Sequence, residues 1–192
     1  MINVPRRQLL QLVMGSLAAG LAVQACSAYS SMEVLLEGKP EGKPGDFEFL
    51  TGEWKIKNRR LKTPGGKEWD EFDGEATCWS ILMGVCSIEE LRIPARHFAG
   101  MGLRLLDVQK KVWNDYWVNA KSGVLTTPGL TGNFEKGVGT FSAEEMENGK
   151  KVISKGVWDR ITPSSCRWYQ AGSNDGGKTW KESWFMDWTR VK

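Results

Sequence analysis

The sequence predicts an all-β fold, a single antiparallel up-and-down barrel of roughly nine to ten strands. Three observations carry this prediction. Short runs of alternating polarity follow one another over 47–192, and turn residues such as those at 63–66 and Asn148-Gly149 separate them. No segment keeps a helical hydrophobic period over three turns. Sequential strands with short connections form a meander, and closing the meander removes its exposed edges.

The alternation places nine strands along the chain. Pro and Gly mark a break at 94–99 and a longer loop at 121–132, and the other connections are short. Short connections favour pairing between strands that are neighbours in sequence. The predicted strands cover about 52–61, 71–82, 85–93, 100–106, 112–120, 133–144, 151–161, 166–172 and 178–191.

The first 28 residues have the pattern of a signal peptide. Arg6 and Arg7 form a basic start that resembles a twin-arginine export signal, and an uncharged, mostly apolar run follows at 9–25. Val23-Gln24-Ala25 fits a cleavage site, and with Cys26 it also resembles a lipobox. Simple cleavage and lipidation of Cys26 both stay open. An uncleaved anchor is a third alternative, although the run is short for a spanning helix of about 20 residues.

This leader predicts an exported protein, located in the periplasm, secreted, or held at a membrane as a lipoprotein. Residues 29–46 contain several Gly and Pro residues and are expected to form a flexible linker before a barrel domain at 47–192. Contact with a membrane is expected only through the leader or a lipid anchor. The sequence gives no indication of oligomeric state.

The charge balance argues against nucleic acid as a partner. The chain has 26 basic and 23 acidic residues, a formal net charge of +3. Removing Arg6 and Arg7 with the leader leaves 24 basic and 23 acidic residues, a net charge of +1. A nearly neutral domain lacks the basic surface that binds phosphate backbones.

Three cysteines follow the leader, at positions 78, 86 and 166. Cys78 and Cys86 face each other across a hairpin if its turn centres on Leu82, but not if it centres on Met83-Gly84, so a Cys78–Cys86 disulfide stays open. The cysteines have no CxxC spacing, and His97 is the single histidine. We therefore expect no metal site and no cofactor.

The ten Trp residues are the unusual feature of the composition. Alternation on the last strand puts Trp180, Glu182, Trp184, Met186, Trp188 and Arg190 on one face. Other strands also group Trp with single polar residues. If these faces turn inward, indoles and a few hydrogen-bonding groups line the interior, as in a site for a small, partly apolar ligand. The candidate ligand-binding residues are Trp54, Trp113, Asp115, Trp117, Trp158, Arg160, Trp168, Gln170, Glu182 and Trp184.

The alternative is that the Trp side chains simply fill the core. Asp115, Arg160 and Glu182 favour a cavity, because a sealed interior would have to pair each of these charges. The adjacent acids Glu89-Glu90 and Glu144-Glu145 are expected to be solvated strand ends.

Gly52-Glu53-Trp54 resembles the Gly-x-Trp opening of lipocalin-like (calycin) barrels. The resemblance implies that Trp54 closes one barrel end, stacked on an Arg of a late strand, here Arg190. More widely, 47–190 resembles a bacterial exported family of unknown function with this barrel. The matching motifs are Gly52-Glu53-Trp54, Phe98-Ala99-Gly100, Trp113, Gly132-Asn133-Phe134, Trp168, the run at 173–180 and Asp187-Trp188-Thr189-Arg190. The resemblance implies a fold and no reaction.

The run at 173–180 also matches the Asp-box of sialidase propellers. A single copy does not make a propeller, so we expect a structural turn around Asp175. No catalytic constellation stands out. The sequence therefore favours an exported barrel that binds a small apolar or aromatic ligand. The alternatives are a structural or envelope-interaction protein with a filled core, and an enzyme acting on a small ligand through Glu182, Asp115 or Arg160.

Overall fold

The structure is a computed structural model that describes residues 40–147 and 149–191. The predicted leader at 1–28, the lipidation candidate Cys26 and the linker residues 29–39 lie outside the described residues. Within the described ranges, no helix has the length and apolar character needed to cross a membrane.

Ten strands form one closed antiparallel barrel in which each strand pairs with its neighbours in sequence and β1 pairs with β10. The predicted up-and-down barrel is therefore confirmed. The strands are β1 Gly52–Leu61, β2 Trp69–Ile81, β3 Cys86–Ile93, β4 Phe98–Asp107, β5 Val112–Asn119, β6 Leu130–Glu135, β7 Val138–Glu147, β8 Lys150–Asp159, β9 Ser165–Ser173 and β10 Lys181–Arg190.

The predicted strand at 133–144 is in fact two strands, β6 and β7. Glu135 pairs with Val138, so only Lys136 and Gly137 form the turn, and both have positive φ (50° and 79°). Two central residues with positive φ give the tight turn that matches the twist of a hairpin. Because Lys136 takes one of these positions, the turn has a weak sequence signal. The alternation of polarity therefore predicted one continuous strand across it.

One half of the barrel interior is a filled core. Phe47, Leu50, Trp54, Trp113 and Phe141 are almost completely buried there. The Phe47 ring meets the Trp113 ring edge to face, with ring centroids 4.9 Å apart. Such aromatic pairs add about 0.5–1.5 kcal/mol each to the free energy gained from apolar burial. At this end of the barrel the tryptophans fill the core.

Residues 40–46 are fixed to this filled end rather than forming the end of a flexible linker. The Gly42 N–H donates to the Lys111 carbonyl (2.8 Å), and the Gly45 N–H donates to the Gly84 carbonyl (2.9 Å). The Trp113 indole N–H donates to the Asp46 carboxylate (3.1 Å). Lys111 and Gly84 lie in turns and Trp113 lies on β5, positions that sequence composition does not bring together. The Gly and Pro content therefore indicated flexibility where the tertiary structure supplies contacts.

Trp54 and Arg190 close the same end of the barrel. They are cross-strand partners, and the Arg190 guanidinium lies 4.2 Å from the centroid of the Trp54 ring. Arg190 also donates to the backbone carbonyls of Phe49, Thr51 and Pro163. This is the indole–guanidinium pair that the lipocalin-like resemblance implied.

Candidate functional site

Beside the filled core, the barrel contains a cavity of about 540 Å³ that is partly open to solvent. A volume of this size is typical of a site for a small organic molecule. Five indoles contribute to its lining, from Trp117, Trp158, Trp168, Trp184 and Trp188. The predicted ligand-binding residues that line the cavity are Asp115, Trp117, Trp158, Trp168, Gln170 and Trp184.

Four of the predicted residues do not line the cavity. Trp54 and Trp113 belong to the filled core at the opposite end. Arg160 follows the last residue of β8, has a φ of 52° and is exposed. Side chains two residues apart share a face only within a strand. Because β8 has ended before Arg160, its spacing from Trp158 does not place the two side chains on one face.

Glu182 is outside the cavity because of a β-bulge. The register of β10 against β9 shifts between Glu182 and Trp184, so Glu182 pairs with Ala171 whereas Trp184 pairs with Gln170. One extra residue moves a side chain to the opposite face of the sheet. Glu182 therefore lies exposed on the outer face, and Trp180 precedes β10.

Trp117 reaches across the neighbouring strand because Gly100 leaves room for it. A Cβ atom at Gly100 would lie 2.2 Å from Cζ2 of Trp117, well inside van der Waals contact. Trp117 also stacks beside Phe98, with ring centroids 6.5 Å apart. On the opposite wall, Trp168 and Trp184 meet edge to face at 5.8 Å. The cavity walls are thus built from rings in fixed orientations.

The cavity floor carries a buried cluster of three charged side chains. Arg104 forms a salt bridge with Glu89, and both side chains are only 4% exposed. Asp115 lies on the other side of Arg104, with its Oδ1 atom 3.6 Å from the Arg104 Nε atom. Arg104, on β4, is a direct cross-strand partner of Asp115, on β5. One guanidinium therefore serves two carboxylates.

In this cluster, burial disfavours the charged forms of the side chains, whereas attraction between opposite charges favours them. Burial lowers the pKa of Arg104, but Glu89 and Asp115 outweigh it and hold that pKa above its usual range, so the guanidinium stays charged. Burial raises the pKa of Asp115 to about 6. The Arg104 charge opposes this rise and the Glu89 charge adds to it.

Several buried N–H groups, most of them on residues that line the cavity, have no hydrogen-bond acceptor within the described part of the chain. They are the Arg104 Nε and Nη1 groups, the Asn58 Nδ2 group, and the indole N–H groups of Trp158 and Trp188. An unsatisfied buried donor costs about 1–3 kcal/mol. Unpaired donors beside a cavity are expected where water or a ligand completes the hydrogen bonding.

Sequence reasoning missed Glu89, Arg104 and Trp188. Glu89 was expected to be a solvated strand end, but it is buried and faces inward between Ser87 and Leu91. The signal was present in the alternation of β3, where positions 87, 91 and 93 are small or apolar. An adjacent exposed acid, Glu90, concealed it. Arg104 lies on the same face of β4 as Gly100 and Gly102, and two glycines do not indicate that a face points inward.

The cysteines do not form the disulfide that the sequence left open. Ile81 pairs with Cys86 and Cys78 pairs with Glu89, so the hairpin turn centres between Met83 and Gly84. This was the register in which the two thiols do not meet. Cys78, Cys86 and Cys166 are free and buried. No group of three potential metal ligands occurs in residues 40–147 or 149–191.

The run at 173–180 forms a tight turn. The Asp175 carboxylate accepts hydrogen bonds from the Thr179 hydroxyl and from the backbone N–H groups of Lys178 and Thr179. These donors, the Thr179 hydroxyl first, lower the pKa of Asp175 to about 2. The Trp180 indole donates to the Gly177 carbonyl. Asp175 thus organises the loop and does not line the cavity.

No protein-family model matches the chain, and no curated protein matches it. Among solved structures, the chain is similar to an S-type phycobiliprotein lyase from Guillardia theta. The two share 10% sequence identity with a TM-score of 0.33 over 76% of this chain and 90% of that one. A likeness of this size carries no argument about function. The strand pairing itself establishes a closed ten-stranded up-and-down barrel, and membership of the exported bacterial family stays a prediction.

Proposed function

We propose that this protein is an exported, lipocalin-like binding protein for a small apolar or aromatic ligand, held in the Trp-lined cavity. The observation that supports the proposal is a cavity of about 540 Å³ beside a packed aromatic core, with Trp158 and Trp188 belonging to both. A core that only needed filling would not leave this volume beside a charged cluster.

Two features of the walls suit such a ligand. Rings of Trp117, Trp168 and Trp184 offer large apolar faces in fixed orientations, which lowers the entropic cost of binding. The charged floor and the unpaired N–H groups offer a few polar contacts that would orient the ligand. Predominantly apolar walls with few convergent polar groups are usual for binding pockets.

The enzyme alternative has lost much of its support. It relied on Glu182, Asp115 and Arg160, and two of these side chains lie outside the cavity. Asp115 alone has the raised pKa expected of an acid–base group. A binding role needs no second catalytic group and therefore accounts for the cavity more simply.

Native mass spectrometry of the full chain, purified from a bacterial periplasm, tests the proposal. We expect an additional mass that solvent extraction removes. Ser154 lines the cavity, so Ser154→Phe should block the cavity and abolish the additional mass. Thr131 is exposed on β6, and Thr131→Phe places the same ring on the outer surface as a matched control. An additional mass that is equal in both variants would contradict binding in the cavity.

A second candidate role rests on the tip of the β2–β3 hairpin. Trp79, Ile81, Leu82 and Met83 are exposed apolar side chains that follow one another there, with Met83 96% exposed. An apolar cluster of this kind often marks an interaction surface. It favours the alternative of an envelope-interaction protein, which is compatible with a ligand cavity.

Flotation of the full chain with anionic phospholipid vesicles tests this second role. Leu82 and Met83 have φ values of 54° and 55°, a conformation that Asn tolerates. The double variant Leu82→Asn, Met83→Asn should therefore keep the turn and reduce flotation. Val108→Asn, at another exposed apolar side chain, is the control. Equal flotation of all three proteins would argue against a role for the hairpin tip.

A further inference from the structure

The carboxylate that the cavity offers to a ligand is that of Asp115. Its side chain is 15% exposed, whereas those of Glu89 and Arg104 are 4% exposed. Glu89 is occupied by Arg104. Asp115 has only the Arg104 Nε atom nearby, at 3.6 Å, which is too long for a hydrogen bond. Among the residues the structure describes, no side chain donates a hydrogen bond to the Asp115 carboxylate.

The charges around the cavity leave a negative balance at the floor. Glu89 and Asp115 share the single Arg104 guanidinium, so the three ionised side chains together carry one net negative charge. The other charged side chains of the lining come from three further strands: Arg60 from β1, Glu145 from β7 and Lys155 from β8. Both cations among them lie over indole rings, one of which, that of Trp184, belongs to the cavity lining. The Arg60 guanidinium lies 4.6 Å from the centroid of the Trp184 ring, and the Lys155 ammonium lies 3.8 Å from that of Trp180.

The aromatic lining, like this negative charge, favours a cationic ligand. The face of an indole ring carries a partial negative charge and attracts cations. Trp117 and Trp168 line the cavity, and no side-chain cation of the described residues stacks on either ring. A ligand cation beside Asp115 would therefore enter a site bounded by a carboxylate and by electron-rich rings.

We propose that the cavity binds a cationic amine with an aromatic or apolar body, whose N–H group donates to the Asp115 carboxylate. This inference rests on the proposed binding function and names the chemical class of its ligand. The amine supplies the hydrogen-bond donor that Asp115 lacks, and the apolar body replaces water along the Trp walls. A carboxylate ligand would instead meet Asp115 and Glu89 as like charges, which costs binding free energy.

Three naphthalene compounds of similar shape test the charge preference by isothermal titration calorimetry of the full chain at pH 7.5. They are 2-(1-naphthyl)ethylamine, 2-(1-naphthyl)ethanol and 1-naphthaleneacetate. We expect the amine to bind at least tenfold more tightly than the alcohol, and the acetate to bind most weakly. In Asp115→Asn the amine should lose this advantage while the affinity for the alcohol stays within about twofold. Asp187→Asn, an exposed carboxylate on β10, is the matched control and should keep the preference.

A second measurement needs no variant. In the wild-type protein, the advantage of the amine over the alcohol should shrink as the pH falls from 7.5 to 5, because Asp115 becomes protonated. Equal binding of amine and alcohol at pH 7.5 would overturn the inference and leave the proposed function standing. Preferential binding of the acetate would also overturn it and would indicate Arg104 as the anchor. Absence of binding by all three compounds, together with a clean apo mass, would overturn the inference and the proposed function alike.

Discussion

Arg104 and Asp115 face each other on β4 and β5, and Arg104 also carries the salt bridge to Glu89 on β3. Three adjacent strands thus place one cation between two carboxylates at the floor of the cavity. Because the cluster is buried, its charges depend on one another far more than surface charges do.

Removing the guanidinium should destabilise the protein strongly. Arg104→Met leaves Glu89 buried without its partner, and we expect a loss of about 3–5 kcal/mol in the free energy of unfolding. The double variant Arg104→Met, Glu89→Gln should recover part of this loss. Arg92→Met is the control, since Arg92 pairs with Glu75 and Glu90 near the surface and should cost about 1 kcal/mol or less. Urea unfolding at pH 7 measures all four proteins, and equal losses for Arg104→Met and Arg92→Met would contradict the burial argument.

Asp115 should make folding less favourable as the pH rises. Its pKa is about 6 in the folded protein and about 4 in an unfolded chain, so the folded state favours the protonated carboxyl. The protonated form contributes stability below pH 4, and this contribution is lost between pH 4 and 6. Asn cannot ionise. The free energy of unfolding of Asp115→Asn, relative to the wild type, should therefore rise by about 3 kcal/mol from pH 4 to pH 7. Denaturant curves at intervals of one pH unit measure the difference, and a constant difference would refute the assignment.

Gly52 should not tolerate a side chain. Its φ is 120°, and a Cβ atom there would lie 2.7 Å from the Arg190 Nη1 atom that helps to close the barrel. Gly65 also has a positive φ, 71°, but its Cβ would meet no atom within 4 Å. Gly65→Ala should thus report the backbone strain alone, about 1 kcal/mol. Gly52→Ala should cost clearly more in thermal unfolding. Equal costs would mean that Arg190 moves aside freely.

The carboxyl of Asp175 should titrate near pH 2 and depend on the Thr179 hydroxyl. Thr179→Val removes that hydroxyl donor but keeps the backbone N–H donors. The pKa of Asp175 should therefore rise part of the way towards its ordinary value. A depressed folded pKa means that Asp175 stabilises the turn above about pH 4 and that this contribution is lost as the pH falls towards 2. Carboxyl ¹³C chemical shifts followed by NMR give both pKa values, and an unchanged pKa in the valine variant would exclude the hydroxyl as the main cause.

The thiols of Cys78, Cys86 and Cys166 should be free but protected. Burial raises the pKa of Cys166 to about 12 and also raises the pKa of Cys78. Thiolates react with alkylating agents far faster than thiols do, so both residues should react slowly with iodoacetamide in the folded protein. In urea without reductant, peptides containing each of the three residues should be fully alkylated. Peptides linked through Cys78 and Cys86 would contradict the structure.

The barrel could be predicted from the sequence because its signal is local. Alternation along β1, with Trp54, Ile56 and Asn58 inward and Lys55 and Lys57 outward, already separates core from surface. Short connections then allow little except a meander. The same local reasoning placed Asp115, Trp117 and Trp168 on an inward face, because β5 and β9 are regular over these residues.

The alternation of polarity predicts the face that a side chain takes only within one regular strand. Across an irregularity, and between strands, the tertiary structure decided where side chains lie. The bulge between Glu182 and Trp184 put Glu182 on the outer face, and Arg160 lies beyond the end of β8, where alternation no longer applies. Which inward residues fill the core and which line a cavity depends on how far along the barrel each one lies, and periodicity contains no such information. The cluster of Glu89, Arg104 and Asp115 exists only because β3, β4 and β5 pair in one register. The sequence by itself therefore determined the fold class and most of the Trp side chains in the cavity walls, whereas strand register decided the charged floor and with it the chemistry of the site.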